Sequence, residues 1–487
     1  MKRFFLAAIS TACLFLFVAC GGNDDYEGQA PEQTTQADNV QPEGPNHNAF
    51  AQARTGFETN IIREVTNSFR IPTPPTGVFE LTFFPSSYEV SFILNDDDEE
   101  EEVLTPINLA AFISTDPGDG RQHPLVIWVS GGWSNAISDL AWSYPAWDND
   151  QTGSAFRDAG MLMMYPSFRG ANGNPGQHET LFGEIDDIVA AFHYAAARPY
   201  VDASRIYLAG HSTGATRVLL AAAYFDGFAG AFAFGPVGNI MEHNVTQFTF
   251  DTSDEMERRL RSPIYWLDYI ASPTYIIEGA GGNRQELENM QAATTNPNVS
   301  VHIIEGTDHF SYLAPITRFM APRVLAGNLG FTTQELTAAT TAPAQHFLPI
   351  LLPYHNDMVG ISFQLPFIWE VEWSGGLSFA FASEYFDNNF WEGSIMYLDA
   401  FYIGDEIFTA EEIEWEFQLD EIHERFSANI SGEHAYIWTA DFPGGFHTAV
   451  SMQVNNQLVM LEFFAPAEYR EQANELFEMI FLSVQFD

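Results

Sequence analysis

Cysteine is almost missing from this chain of 487 residues: Cys13 and Cys20 are the only two, both within the first twenty positions. A disulfide framework and a cysteine-held metal site are therefore excluded from the rest of the sequence. Lysine is scarcer still, with Lys2 alone. The 19 basic residues are otherwise all arginine, and against 65 carboxylates they leave a formal net charge of −46. A polyanion gains nothing by approaching phosphates, so nucleic acid is not an expected partner. After residue 20 no apolar run is long enough to cross a membrane. What is plentiful is apolar and aromatic. Hydrophobic residues make up 46% of the chain and aromatics 15%, which excludes a mostly disordered protein and supplies cores for two or three domains.

Lys2 and Arg3 precede the apolar run Phe4 to Val18, and Ala19-Cys20-Gly21-Gly22 follows. This is the layout of a secretory signal. Its cleavage region resembles a bacterial lipobox, in which a thiol after a small residue receives a diacylglycerol. The resemblance implies that residues 1–19 are a lipoprotein signal peptide and that Cys20 is the lipidated N-terminus. The protein would then be anchored at the extracytoplasmic face of the cell membrane. A plain secretory signal or an anchor helix is the alternative. Residues 20–76 are expected to be the lipidated Cys and a flexible linker. Within it a short helical stretch is expected from Phe57 to Phe69, followed by the stiff run Ile71-Pro72-Thr73-Pro74-Pro75.

From Gly77 onward the period alternates between strand and helix. Val78 to Phe84, Tyr88 to Leu94 and Ile107 to Ser114 read as strands. The seven carboxylates from Asp96 to Glu102 lack the spacing and turn glycine of a calcium loop, and read as a solvated hairpin tip. Continuous apolar runs follow at Leu125 to Val129, Met161 to Tyr165, Ile206 to Ala209, Ala231 to Phe234, Thr274 to Ile277 and Val299 to Ile304. Helical patterns separate them at 179–198, 215–224, 254–267 and 284–295, and another follows at 315–325. Such strands imply a mostly parallel sheet with helices on both faces, an α/β domain over 77–335. Thr, Ala and Pro mark a linker at 336–346. Residues 347–487 then read as a C-terminal α+β domain with an antiparallel sheet. Its strands are expected at 360–365, 377–382, 395–403, 434–440, 449–454 and 458–464. Asn455-Asn456 reads as a tight hairpin and Thr409 with Glu412 as a capping box, and Tyr469, Ala473, Leu476, Phe477 and Ile480 share one face of a terminal helix.

The sharpest chemical signal is Gly210-His211-Ser212-Thr213-Gly214, placed between the strand Ile206 to Ala209 and a helix beginning near Ala215. A serine on a tight strand-to-helix turn exposes its hydroxyl, and small residues two positions either side let strand and helix pass closely. The N–H of Thr213, at the helix N-terminus, faces the place where an oxyanion would form. Gly306-Thr307-Asp308-His309-Phe310 follows the last strand, and a serine of this kind needs an imidazole within hydrogen-bond reach as its general base.

With these segments, Leu125 to Trp133, Tyr165-Pro166-Ser167-Phe168-Arg169-Gly170 and Ala197 to Asp202, residues 77–330 resemble an α/β-hydrolase of the prolyl-oligopeptidase and dienelactone-hydrolase type. The resemblance implies Ser212 as nucleophile, His309 as base, and a second oxyanion donor from a backbone N–H near Gly132 or Trp133. Arg169 is expected to tie loops together, and His178, His243 and His302 to lie on the surface. The third member departs from the pattern. The family's aspartate falls by spacing on Gly282, so Glu278, Asn283, or a group near Asn239 and Glu242 must orient the imidazole, with Glu278 the first choice. Prolyl-peptidase relatives filter substrate with a propeller, for which the ~55 residues between Cys20 and Gly77 are too few. Small esters or short peptides are the implied substrates, with no metal or organic cofactor. The missing aspartate keeps a binding-only protein open as the alternative, and a purely structural envelope protein as a third. The C-terminal domain is similar, at Gly360 to Pro366 and Leu482 to Phe486, to PsbP-like and Mog1-like modules, which implies a docking role toward an envelope partner.

Overall fold

The computed structural model describes residues 49–66, 69–94, 100–138, 141–142, 148–242, 248–342, 351–357, 359–366, 369–375, 378–383, 395–403, 408–416, 422–442, 444–467 and 470–486. The signal peptide, Cys20, the first half of the expected linker, His243, Tyr469 and most of the acidic tip lie outside them.

The chain enters through a short helix, α1 (Ala49–Arg54). Eight strands and seven more helices follow: β1 (Phe79–Leu94), β2 (Glu100–Ser114), β3 (His123–Val129), α2 (Ser154–Asp158), β4 (Leu162–Pro166), α3 (Gly183–Ala196), β5 (Val201–His211), α4 (Thr213–Tyr224), β6 (Gly230–Phe234), α5 (Glu255–Leu260), β7 (Thr274–Gly279), α6 (Arg284–Ala293), β8 (Val299–Ile304), α7 (Leu313–Leu325) and α8 (Thr333–Thr340). The strands form one sheet in the order β1-β2-β4-β3-β5-β6-β7-β8. β1 with β2 and β2 with β4 are antiparallel, and all later pairs are parallel.

The continuous apolar runs are explained by burial on both faces. Leu125, Ile127, Ile206, Leu208, Ala231 and Ile276 pack with Ile185 and Ile188 of α3, Val218 and Leu219 of α4, and Leu287 and Met290 of α6. Their alternating neighbours Val126, Trp128, Tyr207, Ala209, Phe232 and Ile277 pack with Phe156 of α2, Ile316 and Met320 of α7, and Leu336 of α8. Helices therefore cover both sides, as parallel pairing demands.

Several boundaries differ from expectation. The first two strands are one, continued through an irregularity between Pro85 and Ser87; a bulge absorbs the proline without ending the ladder. The helix expected from residue 179 starts at Gly183, because Thr180 and Leu181 have φ of 49° and 66°. The buried Glu184 holds this entry turn by accepting from the Glu179 and Phe182 N–H groups at 2.8 and 3.1 Å. The helix expected over 254–267 ends at Leu260 and gives way to single turns from Pro263.

The larger correction concerns the linker. Residues 57–66 are not helical; the helix lies earlier, and the segment is packed rather than loose. Phe50 is fully buried, 4.8 Å from the Trp266 ring. Arg54 donates to Asp186 at 2.7 Å and to the Phe182 carbonyl at 3.0 Å. Ile61 forms an antiparallel bridge with Phe250. At the other end, α8 (Thr333–Thr340) covers the first part of the expected 336–346 linker and buries Leu336.

The C-terminal domain has nine strands among the described residues: β9 (Leu351–Asn356), β10 (Ile361–Pro366), β11 (Trp369–Gly375), β12 (Ser378–Ser383), β13 (Ile395–Tyr402), β14 (Ile422–Ile430), β15 (Glu433–Phe442), β16 (Gly445–Val454) and β17 (Gln457–Pro466), completed by helices α9 (Ala410–Glu416) and α10 (Arg470–Leu482) and by a short tenth strand, β18 (Gln485–Phe486). One sheet runs β11-β12-β13-β17-β16-β15-β14 and a second β18-β10-β9, both antiparallel. Ala473, Leu476, Phe477 and Ile480 of α10 are buried against Leu461, Phe463 and Met452. Asn455 and Asn456 both have positive φ, as a two-residue hairpin requires. The capping box closes with Thr409 N–H to Glu412 at 2.8 Å and Glu412 N–H to Thr409 Oγ1 at 3.3 Å.

Candidate active site

β5 ends at His211, α4 begins at Thr213, and Ser212 stands between them with φ 56° and ψ −126°. A non-glycine residue reaches this conformation only where its surroundings hold it. Here the Ser212 N–H donates to Phe234 O at 2.7 Å, and Ser212 O accepts from Thr216 N–H at 3.2 Å. The flanking glycines are required by space. A Cβ at position 210 or 214 would lie 2.5 or 2.2 Å from Val129 O, so no larger residue lets β3 pass the elbow.

The loop after β3 lies against the same elbow. A Cβ at Gly131 would come 2.9 Å from His211 O and 3.2 Å from Ser212 Cβ. Gly132 has φ 76°, and its carbonyl accepts from Thr213 Oγ1 at 2.7 Å. Thr213 is the first residue of α4, so its N–H has no acceptor within the helix. The turn at Gly131 and Gly132 thus lies against Ser212 and Thr213, with Trp133 next along the same loop.

His309 follows β8, on a turn fixed by Asp308. The Asp308 carboxylate accepts from the Phe310 and Ser311 N–H groups, each at 2.9 Å; the backbone bonds, that of Ser311 first, hold its pKa below the usual range. His309 Nδ1 pairs with Glu278 Oε2 at 2.8 Å, and since a carboxylate accepts, the ring proton sits on Nδ1 and leaves Nε2 free to take one. Glu278 is the penultimate residue of β7 and fully buried; its other oxygen accepts from Gly279 N–H at 2.7 Å.

Two glycines make room for this pair. A Cβ at Gly235 would lie 2.7 Å from His309 Cε1 and 2.8 Å from Glu278 Oε2. Gly235 directly follows Phe234, whose carbonyl holds Ser212, so this one turn touches both the serine elbow and the His–Glu pair. A Cβ at Gly282 would lie 2.6 Å from Glu278 Oε1. The Glu278 carboxylate therefore fills the space beside His309 that a side chain at the family's aspartate position would enter. The longer glutamate reaches from the strand to where the shorter residue would reach from the turn.

The other candidates go elsewhere. Asn283 donates to Gly235 O at 3.3 Å. Asn239 bonds Glu242 at 3.1 Å, and its N–H bonds Glu286 at 3.2 Å. His178 and His302 are buried rather than on the surface. His302 bonds Thr333 at 2.9 Å and stacks on Tyr275, and His178 lies 3.8 Å from Glu184. Arg169 ties loops as expected, bonding both oxygens of Asp187 at 2.8 and 3.0 Å and Glu179 at 2.8 Å.

One participant was not foreseen. His211 is buried, its ring 4.6 Å from that of His309, and its Nε2–H donates to His309 O at 3.0 Å. Burial, aided by charge on His309, pushes its pKa down to about 3. The signal was in plain view, a histidine just before the serine, but its partner lies across the fold. Among the described residues no group of three His, Cys, Asp or Glu side chains is arranged to hold a metal ion.

The sheet order and the elbow are those of an α/β-hydrolase fold. Within it, residues 147–275 match the prolyl oligopeptidase family of S9 peptidases. Solved structures matching part of the chain include a puromycin-hydrolyzing peptidase of Mycobacterium tuberculosis, at 17% identity over 51% of this chain and 40% of that one, TM-score 0.38. The dipeptidyl peptidase 4 of Porphyromonas gingivalis matches at 19% identity over 50% and 36%, TM-score 0.37. An esterase of Pyrococcus furiosus matches at 15% identity over 54% and 100%, TM-score 0.38. The chain spans less than half the length of the two peptidases. No protein of curated function matches its sequence.

Proposed function

We propose that the protein is a serine hydrolase acting on small esters or short peptides, tethered at the extracytoplasmic membrane face by a lipid on Cys20. The observation that carries the catalytic reading is the 2.8 Å pairing of His309 Nδ1 with the buried Glu278, set beside a serine at a strained elbow. In this reading His309 Nε2 takes the Ser212 proton as Oγ attacks the substrate carbonyl, and Glu278 stabilises the imidazolium that results. The N–H groups of Thr213 and of the Gly132–Trp133 loop receive the developing oxyanion. His309 then gives its proton to the leaving alcohol or amine, and water, activated by the same imidazole, releases the acyl group from Ser212. The binding-only reading rested on a missing acid; a carboxylate paired with His309 favours turnover.

The test is hydrolysis of short-chain nitrophenyl esters and short peptide amides by purified protein. Activity is expected in at least one class and is lost in Ser212→Ala. Folded wild-type protein inactive on both classes would overturn the reading. Labelled palmitate should enter the protein through Cys20 and not in Cys20→Ala; labelling that persists in that variant contradicts the lipid anchor.

A further inference from the structure

We propose that residues 57–63, ahead of the sheet, act as a strap that positions the oxyanion loop by holding the segment between β6 and β7 against it. The proposal rests on the serine-hydrolase reading above for its kinetic arm, while its structural arm stands alone.

The strap is held by backbone and by buried charge. The N–H groups of Ile62 and Arg63 both donate to Thr249 O, at 2.8 and 3.1 Å, and Asp251 N–H donates to Asn60 O at 3.0 Å. Glu257 and Arg261 form an ion pair with neither side chain exposed. Such a pair is stable only when its remaining donors and acceptors are satisfied, and the strap does this. Thr59 Oγ1 donates to Glu257 at 3.1 Å and accepts from Arg261 Nη2 at 2.8 Å, and the Asn60 N–H also bonds Glu257. The Arg261 guanidinium in turn lies over the Phe250 ring, 4.1 Å from its centre.

From Phe250 a stack of rings leads to the site. Phe250 stacks on Phe248 at 5.5 Å with 16° between planes, and Phe248 packs on Trp133 at 5.3 Å. Phe248 and Phe250 are 4% and 0% exposed, so a displacement of one moves the next rather than closing a gap. Trp133 belongs to the loop whose Gly132 carbonyl is pinned by Thr213. From the opposite side, Thr180 Oγ1 accepts from Thr249 N–H at 3.1 Å. The strap thus completes a clamp on Thr249, and loosening it frees the ring stack that backs the oxyanion donors. Donors shifted by about 1 Å lose on the order of 10²-fold in rate.

Full-length protein carries the test. In Ile62→Pro the side chain, 63% exposed, is dispensable, while the N–H to Thr249 is removed. Phe248→Ala breaks the stack directly, with Phe248→Leu as the conservative control, and Thr59→Val serves if the proline variant does not fold. Hydrogen exchange of amides 131–135 is read alongside kcat, KM and the pH profile on a nitrophenyl ester. Ile62→Pro and Phe248→Ala are expected to speed exchange at 131–135 and to lower kcat about 5- to 20-fold. KM should stay within about twofold and the pH midpoint should not move, because His309 and Glu278 lie outside the stack; Phe248→Leu should keep most of the rate. Faster exchange at 59–63 with unchanged exchange at 131–135 and unchanged kcat would overturn the proposal. An inactive wild-type enzyme would defeat the hydrolase reading alone, since the exchange measurement still decides whether strap and loop are coupled.

Discussion

Moving the acid from the strand to the turn is the most searching perturbation of the site. Glu278→Ala removes a buried carboxylate that accepts from His309 at 2.8 Å and from Gly279 N–H at 2.7 Å. His309 then loses both its orientation and the stabilisation of its charged form, and kcat should fall by about 10³ to 10⁴, or ~4–5.5 kcal/mol of barrier. Gly282→Asp alone should also be harmful, because its Cβ would come 2.6 Å from Glu278 Oε1 and 2.8 Å from Cδ. In the double variant each change relieves the other. The new aspartate enters the space vacated by Glu278, and Gly282 carries no positive φ that would strain it. Recovery should be partial, since that Cβ also lies 3.0 Å from His309 Cα; a gain of at least about tenfold over Glu278→Ala, ~1.4 kcal/mol, is expected. Steady-state kinetics on a nitrophenyl ester, with pH profiles of all four proteins, provide the assay. A double variant no faster than Glu278→Ala, yet folded, would refute the claim that both positions address one acid site.

Three further outcomes follow from the geometry. His211→Phe keeps a planar ring but loses the donor to His309 O, so kcat should drop about tenfold, whereas His211→Gln, which retains an N–H, should recover much of it. The same residue governs acid stability. His211 is neutral in the fold down to about pH 3 against an ordinary value of 6.5, so the unfolded chain binds the extra proton between those values, and stability present above pH 6.5 is lost as pH falls toward 3, by at most ~5 kcal/mol. Glu184, held at about 2 against 4.5 because His178, Arg217 and other partners outweigh its burial, adds loss in the same direction below 4.5. Melting temperatures between roughly pH 7.5 and 4 should fall, and less steeply in His211→Phe; equal slopes would refute the assignment. Gly131→Ala places a Cβ 2.9 Å from His211 O and should lower kcat about 10²-fold with little change in KM.

Much of this was legible because it is local. The elbow, the G-x-x-H-F turn and the apolar strands each carry their signal within a few residues. The acid was not decidable by spacing, since Glu278 and Asn283 differ in which side chain crosses to His309, and only the folded pair, with room made for it by Gly235 and Gly282, reveals it. His211 escaped notice for the same reason. In the C-terminal domain the strands without a sequence signal, β9, β11, β14 and β18, are all sheet edges. An edge strand has one neighbour and tolerates polar residues, so the alternation of Ile422 to Ile430 is broken. The strap carries no local signal, because residues 57–66 have neither helical nor strand period; they are ordered by a buried ion pair far along the chain.

The central claim is that Ser212 is an activated nucleophile, and a fluorophosphonate probe tests it without assuming any substrate. Intact-mass and peptide analysis should show one adduct per chain, on Ser212, absent in Ser212→Ala and formed on the order of 10³-fold more slowly in His309→Ala. Folded wild-type protein that stays unlabelled, or is labelled equally well in Ser212→Ala, would contradict the account.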